Sequence, residues 1–179
     1  MISFGVARLV VRADMDDRAS LRSALRDAHG VFSVQNPMVS GIEAEILQAR
    51  TVAEAAAEAG IGHFVYAPAG IGERGTGVGS WESKLDVEER LRELGLPHTL
   101  LRPMAFMELM NDKGYYPPVA MWHVMPKLTG PDLPIHWISV EDVGAIVAPG
   151  LRRWRQVCGD GPEAVRGHPV QRAVPGRVG

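Results

Sequence analysis

Gly30-Val31-Phe32-Ser33-Val34-Gln35-Asn36-Pro37 is the stretch on which the fold turns. Val31 to Val34 is a short apolar, β-branched run and reads as a strand. Gln35-Asn36-Pro37 stops it, because proline lacks the amide hydrogen a strand ladder uses. Beyond it Ile42, Ile46, Ala49, Ala53 and Ala56 recur at three- and four-residue spacing, the stripe of a long helix that ends at Gly60. His63 to Ala67 is then a second strand of the same kind. Working outward, Trp81 to Leu94 reads as a helix and His98 to Arg102 as a strand closed by Pro103. Upstream, Ala7 to Arg12 reads as a strand, and Asp14-Met15-Asp16-Asp17 supplies N-cap chemistry. The helix that follows carries Leu21, Ala24, Leu25 and Ala28, with Gly30 where a left-handed cap is wanted. Downstream, Ile135 to Ile138 reads as a last strand, and Ser139-Val140-Glu141-Asp142 as a capping box opening a helix through Val147. Short strands alternating with helices of this length predict a parallel α/β sheet with helices on its faces.

Composition bounds the function. The chain has 179 residues, 46% apolar and 22% charged, which suits one globular domain. A formal charge of −2 provides no global field for nucleic acid or anionic lipid, so direct nucleic-acid and membrane partners are not expected. The charge is uneven: residues 149–179 carry six arginines against two acids, with six glycines and four prolines. That segment has no periodicity and is expected to be an irregular, disordered tail behind a domain spanning residues 1–148. A single cysteine, Cys158, and no signal-peptide pattern point to a cytoplasmic protein.

Parallel α/β sheets bind ligands beyond the carboxyl ends of their strands, which singles out Asp14 to Asp17, Ser33 to Pro37, Ala67 to Gly70 and Arg102 to Phe106. Gly70-Ile71-Gly72-Glu73-Arg74-Gly75 matches the dinucleotide pattern G-x-G-x-x-G. Several loop residues separate it from the next helix, and the following strand ends in Arg102 rather than an acid, so it reads as a flexible flap. Lys84 shares a helical face with Val87, Leu91 and Leu94, the side that packs on the sheet. Its amine either snorkels to water or reaches the strand-end crevice, where a ribose hydroxyl, a phosphate or a carbonyl would satisfy it. Asp14, Asp16 and Asp17 are better explained by helix capping than by metal binding, and the six histidines show no zinc spacing, so no metal site is expected. Tyr115, Tyr116 and Trp122 lie in a proline-rich stretch that is either a substrate lid or a loop covering a core.

Five strings, in order, carry a resemblance: Val11-Arg12-Ala13-Asp14-Met15-Asp16-Asp17, Gly30-Val31-Phe32-Ser33-Val34-Gln35, Ser83-Lys84-Leu85-Asp86-Val87-Glu88-Glu89, Leu101-Arg102-Pro103-Met104-Ala105-Phe106-Met107-Glu108 and Trp137-Ile138-Ser139-Val140-Glu141-Asp142-Val143-Gly144. Together they resemble the NmrA-like family of atypical short-chain dehydrogenases. The resemblance implies a Rossmann-like, NAD(P)-binding sheet, with NADP favoured over NAD as the cofactor. It places Asp14 and Met15 beside the adenine and Ser33, Val34 and Gln35 on the ribose side, with Ala67 and Pro68 at the next strand end. On the same likeness Lys84 would hold the nicotinamide ribose and is the catalytic candidate, Pro103, Met104 and Phe106 would flank the nicotinamide, and Met107, Tyr115 and Trp122 would meet the substrate.

The sequence departs from the family in three ways. Family members begin with a strand, a glycine-rich turn and a helix that bind the pyrophosphate, then a second strand that reads the ribose. Here only about six residues precede the string that aligns as the third strand, so the expectation is an incomplete sheet with exposed edges and weakened cofactor binding. The Tyr-x-x-x-Lys acid is missing, because Ser80 stands four residues before Lys84. The likeness stops near Ala148, and a truncated or frame-shifted gene product is expected. The functions implied are a dinucleotide redox sensor with a regulatory protein partner, which the missing tyrosine favours, an NAD(P)H-dependent oxidoreductase acting on a small carbonyl, enone or quinone, and an incomplete gene product without activity. Oligomerisation is left open.

Overall fold

The computed structural model describes residues 10–70, 72–110 and 136–158. Strands β1 (Gly30–Ser33), β2 (His63–Tyr66) and β3 (His98–Leu100) form a parallel sheet in that order, with Val31 opposite Phe64 and Tyr66 opposite Leu100. Parallel neighbours need a crossover. Helix α1 (Arg18–Ala24) precedes β1. A short helix, α2 (Pro37–Ser40), and the long α3 (Ile42–Glu58) link β1 to β2, and α4 (Gly79–Glu93) links β2 to β3. A second parallel pair, β4 (Ala105–Phe106) and β5 (Trp137–Ile138), aligns Ala105 with Trp137, and α5 (Val140–Cys158) follows. The α/β architecture is the one the alternating pattern predicts.

Alternation along β2 divides the core. Phe64 and Tyr66 pack with Ala49, Val52, Ala53 and Ala56 of α3, Val87 and Leu91 of α4, and Leu100. Val65 joins Leu101 with Val143 and Val147 of α5, and the partly buried Phe106, Ile138 and Leu151 pack on them. Every residue of β2 is buried, as expected for a parallel strand covered on both faces.

Several boundaries differ from the sequence expectations. Val10 to Arg12, the described part of the first expected strand, is exposed and outside any strand; Ala7 to Leu9 lie outside the described residues. Helix α1 stops at Ala24, and the left-handed turn after it falls to Asp27 at φ 63°, a residue type that tolerates that region. Gly30 therefore opens β1 instead of capping a helix. A Cβ there would lie 2.8 Å from Leu151 Cδ2 and 3.1 Å from the His63 carbonyl oxygen, so close packing explains the glycine. Helix α5 does not end at Val147 but continues through Pro149 to Cys158, against the expectation of a disordered segment from residue 149. The apolar face Val143, Val147 and Leu151 carries on at four-residue spacing and packs on the sheet, which outweighs the one backbone hydrogen bond proline removes. Residues 159–179 lie outside the described residues.

His63 gives this fold a pH dependence. Its Nε2 faces Thr99 Oγ1 at 3.0 Å, and only 2% of the residue is exposed. Burial, then the neighbouring His98 and His29, lowers its pKa to about 4. Between that value and the ordinary 6.5 the unfolded chain binds a proton that the folded chain refuses. Stability is therefore expected to fall as the pH drops from 6.5 towards 4, by about 3 kcal/mol in full. Urea midpoints across this range check it. His63→Gln should flatten the slope, and an unchanged slope would assign the loss to other groups.

Candidate functional site

In a parallel sheet all strands end on one edge, and the helices that follow them begin there. At the end of β1, Gln35 Nε2 donates to Ser33 Oγ at 2.8 Å and lies 4.0 Å from Met15 Sδ. Ser33 and Gln35 are buried, and the Gln35 amide oxygen has no hydrogen-bond partner among the described residues. The edge continues as Ala67 N donates to the Ser33 carbonyl at 3.0 Å and Leu101 N to the Tyr66 carbonyl at 2.9 Å. Met15, Ser33, Gln35, Ala67 and Pro68 thus lie along one edge, with Val34 exposed beside them. Of the later candidates, Pro103 and Phe106 are half-buried, while Met104 and Met107 are exposed. Tyr115 and Trp122 lie outside the described residues. Asp14 closes a turn by accepting from Asp16 N at 3.0 Å, and Asp17 caps α1 by accepting from Ala19 N and Ser20 N.

Lys84 does not snorkel. Its side chain is 4% exposed and forms an ion pair with Glu45 Oε1 in the first turn of α3, itself 1% exposed. Ser83 Oγ donates to the other Glu45 oxygen at 3.3 Å. Burial pulls the Lys84 pKa down to about 8. The adjoining carboxylate favours the charged form, so the amine is protonated at neutral pH.

A second buried carboxylate lies one turn further along α4. Arg102 Nη2 donates to Glu88 Oε2 at 2.7 Å, Arg102 Nη1 lies 2.7 Å from Oε1, and Glu88 is 1% exposed. Tyr66 is buried nearby; burial first, then the Glu88 charge, raises the pKa of its hydroxyl.

The loop between β2 and α4 is fastened to α4. Gly70, Gly72, Gly75 and Gly77 all take positive φ, and a Cβ on Gly70 would lie 2.6 Å from Trp81 Cγ. Thr76 Oγ1 and Gly77 N donate to Glu82 Oε1 at 2.9 and 3.0 Å, and the Thr76 hydroxyl leads in lowering the Glu82 pKa. Arg74 Nη2 donates to Asp86 at 2.7 Å. The donors that follow the glycine-rich motif, at Thr76 and Gly77, thus face the chain's own carboxylate.

Sequence reasoning missed Glu45, Glu88 and Arg102 as parts of buried pairs. The signal was present for two of them. Glu45 shares a helical face with Ala49, Val52 and Ala56, and Glu88 with Lys84 and Leu91, so each is an acid on a buried stripe.

Comparison with known proteins identifies the family. The NmrA-like family model matches residues 4–161. This chain belongs to the NmrA-like family. A (4-alkanoyl-5-oxo-2,5-dihydrofuran-3-yl)methyl phosphate reductase from Streptomyces griseus is 30% identical over 87% of the chain and 54% of its own length. The nitrogen metabolite repression protein of Emericella nidulans is 31% identical over 70% of the chain and 37% of its own. Among solved structures, an NADPH-dependent quinone oxidoreductase from Escherichia coli, complexed with NADPH, is 26% identical with a TM-score of 0.50, over 63% of this chain and 37% of that one. This NmrA-like chain therefore spans about half, or less, of these relatives' lengths. Its fold is Rossmann-like, as the resemblance implied. No helix among the described residues is long and apolar enough to cross a membrane.

Proposed function

We propose that this NmrA-like chain binds a nicotinamide dinucleotide along the edge where β1, β2 and β3 end, and that the site serves reduction of a small conjugated acceptor, an enone or a quinone. The Gln35 side chain carries the reading. One end of a buried amide is paired with Ser33 while the other has no partner among the described residues, at the edge where parallel sheets take ligands. A ribose hydroxyl or an adenine amino group would complete it. Met15 offers an apolar neighbour beside it, so the residues present fit the group. In this arrangement Ser33 and Gln35 hold the adenosine half, Ala67 and Pro68 line the middle, Lys84 faces the nicotinamide ribose, and Pro103, Met104 and Phe106 flank the ring.

A bound NADPH supplies a hydride. Among the described residues, those at this edge favour a conjugated acceptor, because hydride addition to a simple ketone needs a well-placed acid. Ser80 stands where the tyrosine of Tyr-x-x-x-Lys would be, and the raised pKa of the Tyr66 hydroxyl makes it a poor acid. An enone or quinone yields a delocalised anion that water can protonate. Two of the similar proteins, named as a furanone-type phosphate reductase and a quinone oxidoreductase, support the reductase reading. The sensor reading draws on the likeness to a nitrogen metabolite repression protein and on the absent tyrosine.

The experiment is a titration with NADPH and NADH, followed by nicotinamide fluorescence, on the wild type and on Gln35→Leu. Saturable binding weakened about tenfold by the substitution, equal to about 1.4 kcal/mol, is expected. NADPH oxidation with quinones and enones then separates a reductase from a sensor. No binding at millimolar dinucleotide would remove both readings.

A further inference from the structure

We infer that Glu45 is a positioning residue for the dinucleotide site: its carboxylate holds the Lys84 ammonium at the strand-end edge and leaves that ammonium's other N–H groups for the hydroxyls of a ribose. This rests on the function proposed above.

Three observations carry it. The first is place. Glu45 lies in the first turn of α3 and Lys84 in the second turn of α4, and both helices start at the edge where the strands end. A Cβ on Gly79, the first residue of α4, would meet Ile42 Cδ1, in the first residue of α3, at 3.3 Å, so the two helix starts touch. The second is valence. Ser83 Oγ occupies Glu45 Oε2 and also approaches the Ser80 carbonyl at 3.3 Å, which leaves Oε1 for Lys84. Lys84 has three N–H donors, and Glu45 is its one partner among the described residues. The third is energetic. Replacing a buried ion pair with apolar residues of similar volume is often neutral or stabilising, so packing alone gives no reason to keep two charges here. A ligand that uses the ammonium's remaining donors gives one.

The test is NADPH affinity measured on the wild type, Glu45→Gln, Lys84→Met and the double variant, with Glu54→Gln as an α3 control whose partners are Arg18 and Arg90. Glu45→Gln and Lys84→Met are each expected to weaken binding about tenfold, and the double variant no more than the worse single, since both act through one amine. Glu54→Gln should match the wild type. Glu45→Gln binding as tightly as the wild type would overturn the inference while leaving the proposed function standing. If the wild type itself fails to bind, both fall. Should Glu45→Gln not fold, the Nζ resonance of Lys84 in ¹⁵N-lysine-labelled wild type decides: it is expected to move on addition of NADPH, and an unmoved resonance overturns the assignment.

Discussion

Lys84→Met is expected to destabilise the fold by about 3–5 kcal/mol, the usual cost of leaving one member of a buried ion pair without its partner. The Glu45 carboxylate is 1% exposed, and without the ammonium it keeps, among the described residues, only the long contact from Ser83 Oγ at 3.3 Å. It must then be buried charged or take up a proton, and either costs stability. A domain of this size has only about 5–15 kcal/mol in hand, so the loss shows directly in the urea midpoint. The double variant Glu45→Leu with Lys84→Met removes both charges and fills the gap with apolar atoms. It should recover most of the stability, because the penalty lies in the unpaired charge. A single Lys84→Met variant as stable as the wild type would show that Glu45 is not buried as described.

Arg102→Met is expected to cost a similar amount, about 3–5 kcal/mol, for the same reason at the other buried carboxylate. Arg102 meets both oxygens of Glu88, whereas Arg92 reaches one of them at 3.5 Å from a side chain that is 54% exposed. Arg92 cannot replace a partner that is closer and less screened. Arg102→Lys should lie between, since an ammonium lacks the planar fork that spans two carboxylate oxygens. A local effect accompanies the global one. The guanidinium packs against Gly72, where a Cβ would lie 2.8 Å from Arg102 Cζ, so its loss should loosen the loop between β2 and α4 and speed proteolytic cleavage there. Urea unfolding and limited proteolysis read the two effects separately. Unchanged stability in Arg102→Met would place the support of Glu88 elsewhere.

Much of the fold was legible because it rests on periodicity. The stripe Ala49, Ala53 and Ala56, the run His63 to Ala67 and the buried face Lys84, Val87 and Leu91 are all readable from the sequence alone. Asp17 as a cap was equally readable, since a carboxylate before a helix meets free amide hydrogens. Illegible features depended on tertiary partners. Gly30 looked like a cap because nothing local reveals that Leu151, over a hundred residues away, leaves no room for a Cβ. Helix α5 outran its expected end because its apolar face has a sheet to pack on, which composition after Pro149 conceals. At the candidate site, the strand-end residues followed from the general rule for parallel sheets. Which acid meets Lys84 did not, because pairing across two helices is set by how they pack and not by spacing within either.

The edge at which a dinucleotide touches the chain is the claim most open to direct measurement. Amide chemical-shift mapping of the ¹⁵N-labelled protein during an NADPH titration reads this residue by residue. The largest shifts are expected at Met15, Ser33 to Gln35, Ala67 and Met104 to Phe106, along the carboxyl edge of the sheet. Saturating shifts confined to the opposite edge, around Gly30, Gly62 and Leu96, or no shifts at all, would contradict it.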